Sequence, residues 1–564
     1  MTVASAETSV WATLGLAAQC AKQQQLISPC CEGPCSSQIS CTVVGCGEQE
    51  QELQECCSSS TICQQEQQQQ RHLIQITATA CSQPQQQCDL GQAVLLQGFG
   101  WDSCRQHRST YYEHVHSKVP QIQAAGFSHV WLPPPSASVS PEGYMPQQLY
   151  DLDSAYGSQA QLAALLGSLK AAGVAPIADV VINHRCADEQ DDSGRWNRYR
   201  DKVPHEGPSL AWGSWAILKD ADGKFGGDAQ PSEHAVAWTG APNLDHSNTQ
   251  VREGLTAWLS WLHTHLGFEG WRFDHAIGYS SRYVQGYVDR TTGQHALNVG
   301  EVWPQLDYSG PGNSLGPCQD GARSQLVEWV QGAGQRAAAF DFVTKGVLQE
   351  AVARCEYWRL RDGAGHAPGL IGWWPAASIT FVENHDTGSS QRHWPFPEER
   401  LAVGYAYILT HPGLPCVFWE HYFPSDEAGQ ELRATIDALM QLRRKHGITS
   451  TSSLTILAAE ADLYMATIGG KLTLKLGPRW ELGTLLPDDA HWRIATCGQD
   501  FCVWELKEGC GAAYAMAGSS SRISHVWGGS SSSPCFGCMG GSAASLGSSG
   551  GSSGSLGGGL AYYY

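Results

Sequence analysis

No uninterrupted apolar run in the 564 residues approaches the roughly 20 that a membrane helix needs, so no helical membrane span is expected and the protein should be soluble. Positive charge is scarce as well. The 35 Lys and Arg stand against 54 Asp and Glu, a formal charge of −19 that repels nucleic acid and anionic membrane and favours a neutral or cationic partner. The first 25 residues have no basic start and carry Glu7, unlike a signal or transit peptide, so no such leader is expected. This points to an intracellular setting without fixing the compartment. Paired metal-ligand spacing is absent from the middle of the chain. Of 21 cysteines, eleven lie in residues 1–88, two in a late "CFGC", and eight are scattered between. "CFGC" is either a redox or zinc half-site or simply part of a Gly/Ser tail, and a disulfide-stapled amino-terminal region stays open.

What is abundant is uneven. Residues 1–88 are rich in Gln, Ser and Cys ("QQEQQQQ"), with little periodicity to build a core, and are expected to be disordered. Residues 517–564 are mostly Gly and Ser, a flexible coil. The 21 Trp are either core residues or flat surfaces for stacking on sugar rings.

Between the ends, short apolar runs alternate with longer amphipathic ones. The eight strand candidates are "AVLLQGFGW", "FSHVWLPP", "VAPIADVVINH", "FEGWRFDHA", "ALNVGEVW", "AAFDFVT", "SITFVENHD" and "LPCVFWEH". Helical stretches such as "SQAQLAALLGSLKAAG" and "NTQVREGLTAWLSWLHTHLG" separate them, each closing on a glycine fit for a left-handed cap. Eight strands that each lead into a helix close most naturally into an α/β fold, the parallel (β/α)₈ TIM barrel, here over 89–430. Residues 186–240, polar and aperiodic, read as a small irregular domain inserted after the third strand. Residues 431–516 hold the last barrel helix and then runs such as "KLTLKLG" and "DFCVWEL", which predict a carboxyl-terminal antiparallel β-sheet.

Polar residues gather at strand ends: Asp179, Asn183 and His184 after the third, Arg272 and Asp274 on the fourth, Glu301 on the fifth, and Asn384, His385 and Asp386 on the seventh. That end of a barrel builds active sites. Asp274, Glu301 and Asp386 would then meet on one rim. Two carboxylates in different environments are what glycoside hydrolysis requires, one ionised and one holding a proton. Alternate residues of a strand share a face, so the Arg272 guanidinium can sit beside Asp274 and keep it ionised.

The stretches "HVWLPPPSASVSPEGYMPQQLYDLD", "IADVVINHRCAD", "GWRFDHAIGYS", "GEVW", "APGLIGWWPAASITFVENHDTGS" and "GYAYILTHPGLPCVF" resemble, in this order, those of the retaining alpha-amylase family, plant type. The resemblance runs from about Leu95 to about Glu505. It implies endo-acting hydrolysis of alpha-1,4-glucosidic bonds in starch by double displacement through a covalent glucosyl-enzyme, with starch or a related glucan as partner and a monomeric enzyme. It casts Asp274 as nucleophile, Glu301 as general acid/base and Asp386 as the carboxylate gripping sugar hydroxyls. Tyr144, His184, Arg272, Trp303 and His385 would contact the sugar, and Trp373 and Trp374 would form a starch-granule platform outside the active site. The duller reading of that pair is one indole packed and one exposed.

The same resemblance implies Ca²⁺, tying the inserted domain to the barrel through Asn183, the carbonyl of Gly278, Glu233 and Asn243. The last two stand where relatives carry aspartates, which predicts weaker binding; Asp220, Asp222 and Asp228 could contribute instead. His275 and Ile277 replace an aromatic or small residue and a basic one, which leaves binding on the leaving-group side open. Two alternatives remain, a glucan transferase or branching enzyme using the same trio, and a non-catalytic starch-binding relative.

Overall fold

The computed structural model describes residues 90–231, 236 and 238–509. The two terminal segments, the "CFGC" motif and Glu233 lie outside the described residues.

Eight parallel strands close on themselves: β1 (Leu95–Gln97), β2 (His129–Leu132), β3 (Ala175–Val180), β4 (Gly270–Phe273), β5 (Val299–Gly300), β6 (Ala338–Phe340), β7 (Ser378–Phe381) and β8 (Leu414–Phe418). Each pairs with its sequence neighbours, and β8 returns to β1 with Leu95 opposite Cys416. All eight lie within the runs that the sequence marks as strands. The residues of β2, β4, β7 and β8 are buried throughout, because helices cover one side and the barrel interior the other. This double burial is why these strands read as near-continuous apolar runs.

The longer helices are α1 (Tyr111–Ala125), α2 (Gln159–Ala171), α3 (Thr249–Trp261), α4 (Arg282–Asp289), α5 (Asp320–Gly332), α6 (Phe342–Arg354), α7 (Leu401–Thr410) and α8 (Glu427–Lys445). Their ends follow local chemistry. At α2 the Ser158 hydroxyl accepts the Gln161 N–H while the Gln161 side chain accepts the Ser158 N–H, a capping box. Leu162, Leu165, Leu166 and Leu169, at helical spacing, are buried from that helix, and Gly173 follows it at φ +72°. Asn248 caps α3, whose last turn widens into a π-turn over Leu262–Leu266 before Gly267 at φ +92°. No helix among the described residues is long and apolar enough to cross a membrane.

Between β3 and α3 the described residues make a two-stranded hairpin (Glu189–Gln190 with Trp196–Arg198), a single 3₁₀ turn at Ser214–Ala216, and otherwise irregular backbone. Arg185 is its buried anchor. The guanidinium donates to the carbonyls of Gln147 (2.9 Å) and Leu210 (2.8 Å) and lies over the rings of Tyr199 and Trp212. The segment meets the barrel where Leu244 N–H donates to the Asn183 carbonyl at 2.9 Å and residues 184 and 243 form a β-bridge.

After α8 come β9 (Leu454–Ala459), β10 (Tyr464–Ile468), β11 (Leu472–Leu476), β12 (Trp492–Gly498) and β13 (Phe501–Leu506), an antiparallel sheet in the order β9-β10-β11-β13-β12. Lys445 and His446 at the end of α8 both donate to Glu505 of β13, at 2.6 and 2.7 Å, and Arg493 of β12 holds its other oxygen at 2.7 Å.

Candidate active site

Register sets the centre of the site. Asp179 on β3 lies opposite Arg272 on β4, and Asp274 and Glu301 stand one residue beyond the ends of β4 and β5. Arg272 Nη1 donates to Asp179 Oδ1 at 2.9 Å and to Asp274 Oδ1 at 2.7 Å, while Nη2 pairs with Glu301 Oε1 at 2.6 Å. The expected Arg272–Asp274 contact is present, and the same guanidinium also holds two further acids. All four residues are buried. With three carboxylates around one cation, full ionisation would leave excess negative charge in a water-poor pocket. Burial therefore pushes the Asp179 carboxyl up to about 7 and raises Glu301 as well, with Arg272 pulling both back and the charge of Asp274 adding to the rise. Trp131 Nε1 and the Tyr144 hydroxyl donate to Asp179 Oδ2 at 3.1 and 2.9 Å, so Asp179 is the anchor from which Arg272 and Tyr144 are aimed.

Asp386 arrives from β7 on a tight turn. Asn384 Oδ1 accepts the N–H groups of Asp386 (3.1 Å) and Thr387 (2.8 Å), the local hydrogen bonding to which asparagine is suited. Both carboxylate oxygens of Asp386 are buried without a hydrogen-bond partner, and His385 Nε2 lies 3.5 Å from Oδ2. Burial, then the charge of Glu301, pushes its carboxyl well up. Two orphaned acceptors are costly in an apolar interior, at about 1–3 kcal/mol each, and are the natural partners of hydroxyls on a ligand. His385 is fixed by Gln97 at the end of β1, 2.9 Å from Nδ1, and burial keeps its imidazole neutral. Its ring stacks with Tyr144 (5.2 Å, 9°), which stacks in turn on Trp101 (5.9 Å, 7°). The Glu383 carboxylate turns away from this pocket, to Phe396 N–H and His421.

His184 is buried and neutral, its pKa lowered by desolvation to about 3. Nε2 donates to the Tyr144 carbonyl at 2.8 Å, and Nδ1 faces Asn183 Nδ2 at 3.2 Å. The His275 N–H donates to Glu301 Oε2 at 3.0 Å, a direction made possible by its φ of +41°. Tyr144, His184, Trp238, Asp274, His275, Glu301 and His385 line a cavity of about 20 Å³ that opens to solvent, enough for a water or two within its walls.

The fit for calcium is partial. Asn183 Oδ1 is buried with no hydrogen-bond partner, and Gly278 lies so close that a Cβ there would run into it; an amide oxygen beside a glycine backbone suits a hard cation. Asn243 has both ends of its carboxamide engaged. Oδ1 accepts from Asn183 Nδ2 (3.0 Å) and Trp238 N–H (3.2 Å), and Nδ2 donates to the Trp238 carbonyl (2.6 Å). Among the described residues no group of three or more His, Cys, Asp or Glu is gathered to hold a metal. Asp220 turns onto the N–H groups of its own loop, and Asp228 accepts from the Ser214 hydroxyl.

Other expected contacts stand apart from the cavity. Trp303 is stacked on Phe342 (4.4 Å, 27°). Trp373 is 43% exposed with the Arg323 guanidinium 3.9 Å from its ring centre, whereas Trp374 packs partly buried against the core. The two indoles thus sit in different environments. Sequence reasoning missed the tasks of Gln97, Trp101 and Asp179 and overlooked Trp238 altogether. Asp179 was visible as a charge inside an apolar run, but nothing local marks the other three.

Comparison with known proteins agrees with this geometry. The family profile described as "Alpha amylase, catalytic domain" matches residues 112–302, and the "Alpha-amylase C-terminal beta-sheet domain" matches 445–505. A protein named "Probable alpha-amylase 2" from Arabidopsis thaliana is 42% identical over 414 residues, which cover 73% of this chain and 94% of that one. "Alpha-amylase 3, chloroplastic" from the same plant is 39% identical over 74% of this chain, which spans only 44% of that longer protein. A crystal structure of an Anoxybacillus alpha-amylase superposes with a TM-score of 0.52 over 74% of this chain and 99% of the other; at 15% identity it speaks for the fold alone. Sequence identity, the closed barrel and its carboxyl-terminal sheet therefore agree that this chain belongs to the alpha-amylase family, among its plant-type members.

Proposed function

We propose that the protein hydrolyses internal alpha-1,4-glucosidic bonds of starch and related glucans with retention of configuration. The observation that carries this reading is the meeting of Asp274 and Glu301 on the two terminal nitrogens of one buried guanidinium, beside an Asp386 with two unpartnered oxygens. Asp274, oriented by the Arg272 guanidinium at 2.7 Å, attacks the anomeric carbon. Glu301, its pKa raised by burial, gives its proton to the glycosidic oxygen, and the leaving chain departs. A glucosyl ester on Asp274 forms. Glu301, now ionised, takes a proton from water, which attacks the same carbon and frees Asp274. Asp386 accepts hydrogen bonds from sugar hydroxyls and strengthens them in the transition state. Tyr144 supplies a flat face, and the Trp373–Trp374 region is a secondary glucan surface centred on the exposed Trp373.

Calcium would be held by Asn183, the Gly278 carbonyl and Glu233, with Asn243 joining only by giving up Trp238. Its contribution is structural, joining residues 186–240 to the barrel.

Reducing-end release from soluble starch, compared between the native chain and Glu301→Gln, tests the reading. Native turnover with an inert glutamine variant supports hydrolysis. New branch points or chain transfer would mean a transferase, and no native turnover would mean a binder.

A further inference from the structure

Among the described residues of the 186–240 segment, Trp238 is the one that lines the catalytic cavity. Its indole lies on the imidazole of His184, with ring centres 4.0 Å apart and planes at 29°. That imidazole has no nitrogen to spare, since Nε2 is committed to the Tyr144 carbonyl and Nδ1 faces Asn183. One ring face is covered by indole. A sugar approaching along this wall therefore meets Trp238 before it meets His184.

Three features hold the indole there. Asn243 grips the Trp238 peptide groups from both sides, accepting its N–H at 3.2 Å and donating to its carbonyl at 2.6 Å. Gly240 clears the space, because a Cβ at that position would collide with the six-membered part of the indole. Two residues upstream, Val236 is tied to the loop after Asp274, its N–H donating to the Ile277 carbonyl (3.1 Å) and its carbonyl facing His275 Nε2 (3.0 Å). Asn243, expected as a metal ligand, is in this arrangement a positioning residue for an aromatic side chain.

We infer that Trp238 is a specificity-determining residue of the glucan site, a stacking surface for a pyranose ring that takes over the contact expected of His184. The inference rests on the proposed function and deepens it. An indole presents a broad apolar face to the C–H face of a sugar, and Trp238 lines the same cavity as Asp274 and Glu301. Trp238 stands on the irregular segment instead of on a strand, yet Asn243 and the space at Gly240 hold its ring in the cavity wall, a fixed face for a bound sugar to pack on.

The test is calorimetric binding of maltoheptaose to the inactive Glu301→Gln chain, with Trp238→Ala and Trp238→Leu added separately, and the cleavage pattern of the same Trp238 variants in the active chain. The expected result is affinity weaker by about three- to tenfold in both variants, the range of an aromatic contact, with scissile-bond positions shifted along maltoheptaose and the melting temperature little changed. Trp238→Phe restores most of the affinity. Unchanged affinity and cleavage pattern in a folded Trp238→Leu protein would overturn the inference while leaving hydrolysis intact. A parent chain that binds no maltoheptaose would overturn the proposed function, and this inference with it.

Discussion

Arg272 brings a single positive charge into a pocket where three carboxylates touch it, and each of the four side chains is cut off from water. Removing the charge would leave buried anions uncompensated, a change that costs about 3–5 kcal/mol in stability. Arg272→Gln should therefore unfold at clearly lower urea concentration than the native chain and lose nearly all turnover; a variant of native stability would contradict the arrangement. The same crowding governs pH dependence. Glu301 must be protonated to act as an acid, and burial raises its pKa, so kcat/KM falls only as pH rises through a value above the ordinary glutamate range of about 4.3. A pH profile of kcat/KM on a soluble maltooligosaccharide should show that descending limb, and a limb at the ordinary value would contradict the assignment.

At the scale of elements, the parts most legible in the sequence were those whose signal is local. The eight strands announced themselves because both of their faces are buried, and α2 because its leucines recur at helical spacing and Gly173 closes it. The pairing of Arg272 with Asp274 followed from the alternation of side chains along one strand. Its contacts with Asp179 and Glu301 did not, because they depend on the register of β4 against β3 and β5. Gln97 meets His385 across 288 positions of chain, and Trp238 reaches His184 from an irregular segment with no period to read. The joint between α8 and the carboxyl-terminal sheet has its own pH signature. Burial would push the Glu505 carboxyl up, but the bonds from Lys445, His446 and Arg493 outweigh it and hold it down to about 2. The unfolded chain titrates this group near its ordinary value, so the stabilisation is fully present above about pH 4.5 and is lost as pH falls towards 2. Urea unfolding between pH 5 and pH 3 should show stability dropping, with a flatter profile in Glu505→Gln; identical profiles would count against the joint.

For the molecule as a whole, a charge of −19 suits an enzyme whose substrate is uncharged and whose own pocket concentrates acids. The proposed cation between residues 186–240 and the barrel would stabilise only the folded chain, so chelation should lower the melting temperature by several degrees and added calcium should restore it. An unchanged melting temperature would mean that direct contacts, the hydrogen bonds among Asn183, Asn243 and Trp238 included, make the attachment without a cation.

The central claim is that Asp274 bonds covalently to sugar while Glu301 and Asp386 serve it. The most direct measurement traps the intermediate with a fluorinated glycosyl fluoride, which forms the ester faster than water removes it, and locates the added mass by peptide sequencing. The account predicts a single glycosyl group on Asp274. A label on Glu301 or Asp386, or none in a chain that turns over starch, would contradict it.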